Sequence, residues 1–155
     1  MLKVNDSIIV NESFKIFIKN RCQAHRESYG NIKSTAIISI NTPGDEAATF
    51  CRTNAIRKVL TLFFSDIGVR DTEGIPMSKE DAVKIAEFVK WLKTTDTKEL
   101  WIHCDAGVSR SAAVGAAILK YLTGDDSAIF NNPNYVPNSS VYQLTLEALY
   151  EMEEK

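Results

Sequence analysis

The chain has 155 residues, of which 45% are hydrophobic and 9% aromatic, which excludes wholesale disorder and predicts one globular domain over residues 1–155. Its 18 Lys and Arg stand against 20 Asp and Glu, a formal charge of −2. That balance excludes an overall polybasic footprint, so neither nucleic acid nor an anionic membrane is an expected partner, while a local anion site stays open.

No apolar run reaches the roughly 18 residues of a membrane span, and the start, Met1-Leu2-Lys3-Val4-Asn5-Asp6, turns polar too early for a signal-peptide core. The cysteines Cys22, Cys51 and Cys104 are odd in number and widely spaced. In a chain this size that argues against a disulfide framework and for a reducing, cytoplasmic setting.

In chain order, the strand patterns are Ser7–Val10, Phe14–Ile18, Thr35–Ile40, Val59–Phe64 and Leu100–His103. The Ala36–Ile40 and Val59–Phe64 stretches are continuous runs, as expected of strands covered on both faces. Ser78 and Asp81 form a capping pair ahead of Ala82, Ile85, Val89 and Leu92, which predicts an amphipathic helix over Ser78–Thr94. Arg110–Thr123, rich in Ala, Ile and Leu and stopped by Gly124, predicts a buried central helix. Asn131–Asn138, with Pro133 and Pro137, is a loop, and Ser139–Glu154 is a last helix offering Val141, Leu144, Leu149 and Met152 to the core. Strands interspersed with helices predict an α/β domain with a central, mainly parallel sheet flanked by helices. Such sheets bind ligands at the carboxyl ends of their strands, which directs attention to the end of Leu100–His103.

There the chain reads His103-Cys104-Asp105-Ala106-Gly107-Val108-Ser109-Arg110-Ser111. A turn between strand and helix points successive backbone N–H groups inward, making an anion nest at the positive end of the helix. Gly107 allows a backbone conformation that lets the loop close. Arg110 carries a planar fork matched to two phosphate oxygens. Cys104 lies beneath the nest, where the same field that holds a phosphate favours its thiolate.

This segment resembles the signature loop of the cysteine-dependent protein tyrosine phosphatase superfamily: His-Cys, five residues, Arg, then Ser or Thr. His103, Cys104, Gly107, Arg110 and Ser111 meet its fixed positions, and the Ala-Gly pair and Ser-Arg-Ser triplet are most similar to the dual-specificity branch. Average residue frequencies make such a coincidence on the order of 10⁻⁵ to 10⁻⁴ per chain of this size. The resemblance runs from about Ile37 to the C-terminus and implies a protein-tyrosine-phosphatase-like (dual-specificity) domain. It implies Cys104 as nucleophile, Asp105 to Arg110 as the phosphate-binding loop, His103 as buried support and Ser111 as a partner of the sulfur. It further implies a cysteinyl-phosphate intermediate, no metal and no cofactor.

The resemblance also requires a general acid some thirty to forty residues before the nucleophile. Asp66, just past the Val59–Phe64 strand, is favoured because a rigid strand end positions a group well, and Asp71 in the following loop is the alternative. An acidic Asp105 and no lysine inside the loop disfavour a polyanionic substrate, so the expected partner is a phosphorylated protein or peptide, carrying phosphotyrosine and also phosphoserine or phosphothreonine. Phosphate, sulfate or vanadate should bind as inhibitory oxyanions. The basic residues Arg21, Arg26 and Lys33 read as an ordinary solvated face, Trp91 and Trp101 as packing, and Cys22 or Cys51 as thiols that could cross-link to Cys104 under oxidation. The Asn132-Pro133-Asn134-Tyr135 and Pro137-Asn138 segment reads as part of the pocket wall. Three rival readings are a rhodanese-type sulfurtransferase, whose loop typically has four residues rather than five, a catalytically inactive phosphate-binding module, which usually lacks the cysteine or the arginine, and a low-molecular-weight phosphatase, whose nucleophile lies near the N-terminus.

Overall fold

A computed structural model describes residues 7–68 and 73–154. Five strands and five helices follow one another as β1 (Ser7–Asn11), β2 (Phe14–Asn20), α1 (Arg21–Ser28), β3 (Thr35–Asn41), β4 (Ile56–Phe63), α2 (Lys79–Leu92), β5 (Glu99–Cys104), α3 (Arg110–Thr123), α4 (Ser127–Phe130) and α5 (Ser139–Glu153). They build one sheet in the order β1-β2-β5-β3-β4. The hairpin partner β1 runs antiparallel to β2, and every other pairing is parallel. The sheet is therefore mainly parallel, as the alternation of strands and helices predicts.

Strand β3 is buried at all seven positions, in keeping with its unbroken apolar run. The Val59–Phe64 expectation is corrected. Among the described residues, strand β4 pairs only with β3, which makes it an edge strand, and Val59 and Phe63 are 37% and 42% exposed. An apolar run is necessary for burial on both faces but cannot reveal that a strand lies at an edge.

One face of the sheet carries α3 and α2, with α5 packed against both helices. Gly115 lets α3 settle onto the sheet: a Cβ there would lie 2.5 Å from the Ile18 side chain. Helix α3 is buried from Arg110 to Leu119 and ends on Gly124 in the left-handed conformation. Helix α2 starts at a capping box in which Ser78 and Asp81 satisfy each other's backbone N–H groups. Side chains of odd-numbered residues in β2 and β5 point to the other face. There Lys19 pairs with Glu27 of α1 and lies over the Trp101 ring, and Phe50 packs edge-on against His103. Helix α1 had no counterpart in the sequence reading. Only Ala24 and Ser28 of it are buried, so it carries no apolar stripe for periodicity to detect.

Candidate active site

The carboxyl ends of β2, β3, β4 and β5 converge on one edge of the sheet, and the five-residue loop Asp105–Ser109 spans them between β5 and α3. At its floor lies Cys104, buried, with Sγ 3.1 Å from Ser111 Oγ in the first turn of α3. Gly107 takes φ +71°, and a Cβ there would fall 2.8 Å from the backbone of Lys19 and Asn20. The loop can thus press against the end of β2 only with glycine at its middle. Among the described residues, the amides of Ala106, Gly107, Val108 and Ser109 donate to no protein acceptor. They crown the N-terminus of a 14-residue helix, where partial positive charge collects.

Arg110 is buried to 6% exposure, and its fork is tethered on one side. Nη1 donates to Phe64 O at 2.9 Å and to Thr42 Oγ1 at 3.1 Å, while Nη2 donates to Asp105 Oδ2 at 3.2 Å. Thr42 in turn donates to Asp105 Oδ2 at 2.6 Å. Among the described residues, the Thr42–Asp105–Arg110 ring and Phe64 leave the Nε–H and one Nη2–H, a parallel pair that fits two oxygens of a tetrahedral anion. Thr42, and then the Arg110 and Arg21 guanidiniums, hold the Asp105 carboxyl below the usual carboxylate range against the opposing effect of its own burial. Thr42 was missed by the sequence reading, although it follows directly on a central strand, where the carboxyl-end rule points.

His103 supports the floor. The Cys104 carbonyl can only accept, so the Nδ1–H donates to it at 3.2 Å and Nε2 accepts from Ser39 Oγ at 2.6 Å. Asn41 Nδ2 donates to Ser39 Oγ in the same chain. Burial pushes the His103 imidazole below its ordinary value, which favours the neutral ring, and the Cys104 carbonyl, an acceptor only, sets its tautomer.

Asp66 reaches the rim of the loop. Its Oδ1 accepts from Ser109 Oγ at 2.7 Å and from Asn138 Nδ2 at 2.9 Å, which leaves Oδ2 for other partners. Asp71 lies outside the described residues. The 131–138 segment does border the loop, through Val136 N to Val108 O and Asn138 N to Ser109 O. The solvated-face reading fails for Arg21: its guanidinium donates to Asn41 Oδ1 at 2.8 Å and Glu46 O at 2.6 Å, and its amide to Asp105 O. Arg26 and Lys33 are exposed as expected. Cys22, Cys51 and Cys104 are all free thiols. Among the described residues no cluster of His, Cys, Asp or Glu could hold a metal, and no helix is long and apolar enough to cross a membrane.

Neither a known sequence family nor a curated protein sequence matches the chain. Solved structures do. A human tyrosine phosphatase-like serine/threonine/tyrosine-interacting protein superposes with a TM-score of 0.63 at 18% identity, over 96% of this chain and 97% of its own. A mouse putative dual specificity phosphatase, complexed with zinc tungstate, gives 0.63 at 15% identity over 99% and 92%. PTPMT1 in complex with PI(5)P gives 0.57 at 17% identity over 97% and 98%. The fold is that of the dual-specificity phosphatases.

Proposed function

We propose that this protein is a phosphomonoesterase of the cysteine-dependent, dual-specificity type, acting on phosphorylated protein or peptide. The observation that carries the reading is the joint presence, in one strand–loop–helix turn, of the buried Cys104 sulfur, four loop amides that donate to no protein acceptor among the described residues, and a guanidinium with two parallel N–H groups left over among them. A phosphoryl group seated there has its equatorial oxygens held by the amides and Arg110 while the sulfur faces phosphorus in line with the leaving oxygen. Cys104 thiolate attacks, forming the S–P bond as the P–O bond to the alcohol or phenol breaks. Asp66 gives the departing oxygen a proton from Oδ2, its Oδ1 being held by Ser109 and Asn138. The resulting carboxylate then takes a proton from water, which attacks phosphorus and releases inorganic phosphate. Ser111 donates to the sulfur as it leaves as thiolate.

A protein substrate is favoured over a phosphoinositide by the loop's own charge. Residues 105–109 contain an aspartate and no lysine, and Asp105 offsets part of the Arg110 charge. That a structural neighbour was crystallised with PI(5)P makes the lipid a necessary comparison in the assay. A cytoplasmic location belongs to the same proposal, since a thiolate nucleophile needs reducing surroundings. The sulfurtransferase reading is disfavoured by the five residues between Cys104 and Arg110, and the inactive-module reading by the retention of both side chains. The test is release of phosphate from an aryl phosphate and from phosphopeptides, with chelator present and with vanadate as inhibitor. Turnover that resists chelator, yields to vanadate and disappears in Cys104→Ser is expected. Turnover unchanged in Cys104→Ser, or sulfur transfer to cyanide in place of phosphate release, would overturn the assignment.

A further inference from the structure

Alternate side chains of a strand share a face, so Val59, Thr61 and Phe63, the register partners of Ile37, Ser39 and Asn41, lie on the face of the sheet where Ser39 meets His103. Phe50 packs against His103 on that face, and further out Val59 and Phe63 are left exposed. Between Phe50 and the start of β4 lies a cavity of about 500 Å³, with Phe50, Ile56 and Val59 as its apolar lining and Arg52, Thr53 and Asn54 as its polar one.

The charge of this cavity is unbalanced. No carboxylate lines it. Arg52 is exposed, and among the described residues its guanidinium has neither a hydrogen-bond nor an ion-pair partner, so all five N–H groups are available. Arg57, next to Ile56 in β4, is exposed as well; among the described residues it makes one long hydrogen bond, 3.5 Å to Ser34 Oγ, and no ion pair. Two guanidiniums without a countercharge, set beside exposed apolar surface, fit a partner whose carboxylates flank an apolar side chain.

The strand also connects this corner to the catalytic site. Phe64, directly after β4, holds Arg110 through its carbonyl, and Asp66 follows two residues later. Val59 is thus about 20 Å from Asp66 along the chain, a span that an extended peptide covers in about six residues. Resting on the proposed phosphatase activity, we infer that the cavity and the adjoining strip of β4 dock the substrate protein, taking an acidic segment with an apolar residue in it, about six residues from the phosphorylated one. That separation keeps the acidic segment clear of Asp105 in the loop.

The experiment uses phosphotyrosine peptides that carry Glu-Glu-Leu-Glu or Lys-Lys-Leu-Lys about six residues before or after the phosphotyrosine, and an aryl phosphate too small to reach the cavity. On one side of the phosphotyrosine the acidic block is expected to lower KM about fivefold relative to the basic one, the range of exposed ion pairs, with kcat unchanged. The advantage should shrink in about 0.5 M salt. Arg52→Glu combined with Arg57→Glu should abolish or reverse it while aryl phosphate turnover stays the same. Equal KM for acidic and basic blocks on both sides, or a preference that survives the double substitution, would overturn the docking site alone and leave the arginines as guards of an edge strand. A dimer in sedimentation that the double substitution dissolves would also overturn it, by giving the face to a second copy of the chain. Absence of aryl phosphate turnover in the wild type would overturn the phosphatase reading and the docking site with it.

Discussion

Among the described residues, Arg110 commits three of its five N–H groups to protein acceptors, two from Nη1 and one from Nη2. The cost of fixing a long side chain is met before any ligand arrives, so the two remaining N–H groups are already aimed. The acid is held in a comparable way. Asp66 Oδ1 is fixed by Ser109, a loop residue, and by Asn138, which ties proton donor and phosphate cradle together. Asp66→Asn keeps those two bonds available but cannot give up a proton. Its kcat on an aryl phosphate with a poor leaving group should fall by ~10²–10⁴, and the alkaline limb of the pH–rate profile, where the acid ionises, should flatten. Asp71→Asn should change kcat far less; the opposite ranking would move the acid to Asp71. The contiguous part of this chemistry, Cys104 to Ser111, was legible in the sequence because one loop supplies it. Thr42 and Arg21 were not, since only the parallel register of β2, β3 and β5 brings them to Asp105.

Between β5 and α3 the chain turns within five residues, and the turn is dictated by close packing against β2. Gly107→Ala places a Cβ at 2.8 Å from backbone atoms, which cannot rotate away, at a φ that disfavours any side chain. The loop must shift, and a shift near 1 Å in a positioned site costs ~10²-fold in rate. kcat/KM for aryl phosphate should fall by at least that much, with about 1–3 kcal/mol lost in denaturant unfolding. A variant that turns over normally would show that the loop does not depend on this contact. Element boundaries followed the sequence where local chemistry sets them: Ser78 with Asp81 starts α2, and Gly124 ends α3. They departed from it where tertiary position decides. Val59 and Phe63 are apolar and still half exposed, because nothing in a strand's own composition says whether a neighbour lies beyond it.

Across the whole molecule, one buried polar chain links the phosphate loop to the centre of the sheet: Arg21 to Asn41, Asn41 to Ser39, Ser39 to His103, and His103 to the Cys104 carbonyl. Its only titratable imidazole is held below the ordinary value of 6.5 by burial. The unfolded chain therefore binds a proton at that residue over a range of pH where the folded one does not. Stability should be highest above about pH 6.5 and decline as pH falls below it, by at most about 1.4 kcal/mol per pH unit from this residue. Denaturant unfolding at pH 7.5 and 5.5 reads the slope, and His103→Asn should make it shallower than His25→Asn does; equal slopes would remove His103 as the cause. The proposed activity requires a phosphoryl group to pass through the Cys104 sulfur. Rapid acid quench of Asp66→Asn mixed with an aryl phosphate, followed by peptide mass spectrometry, reads that step directly. A single added phosphoryl group on the peptide containing Cys104, absent when Cys104→Ser is combined with Asp66→Asn, is the predicted result; a phosphoryl group on any other residue, or persistence of the adduct without Cys104, would contradict it.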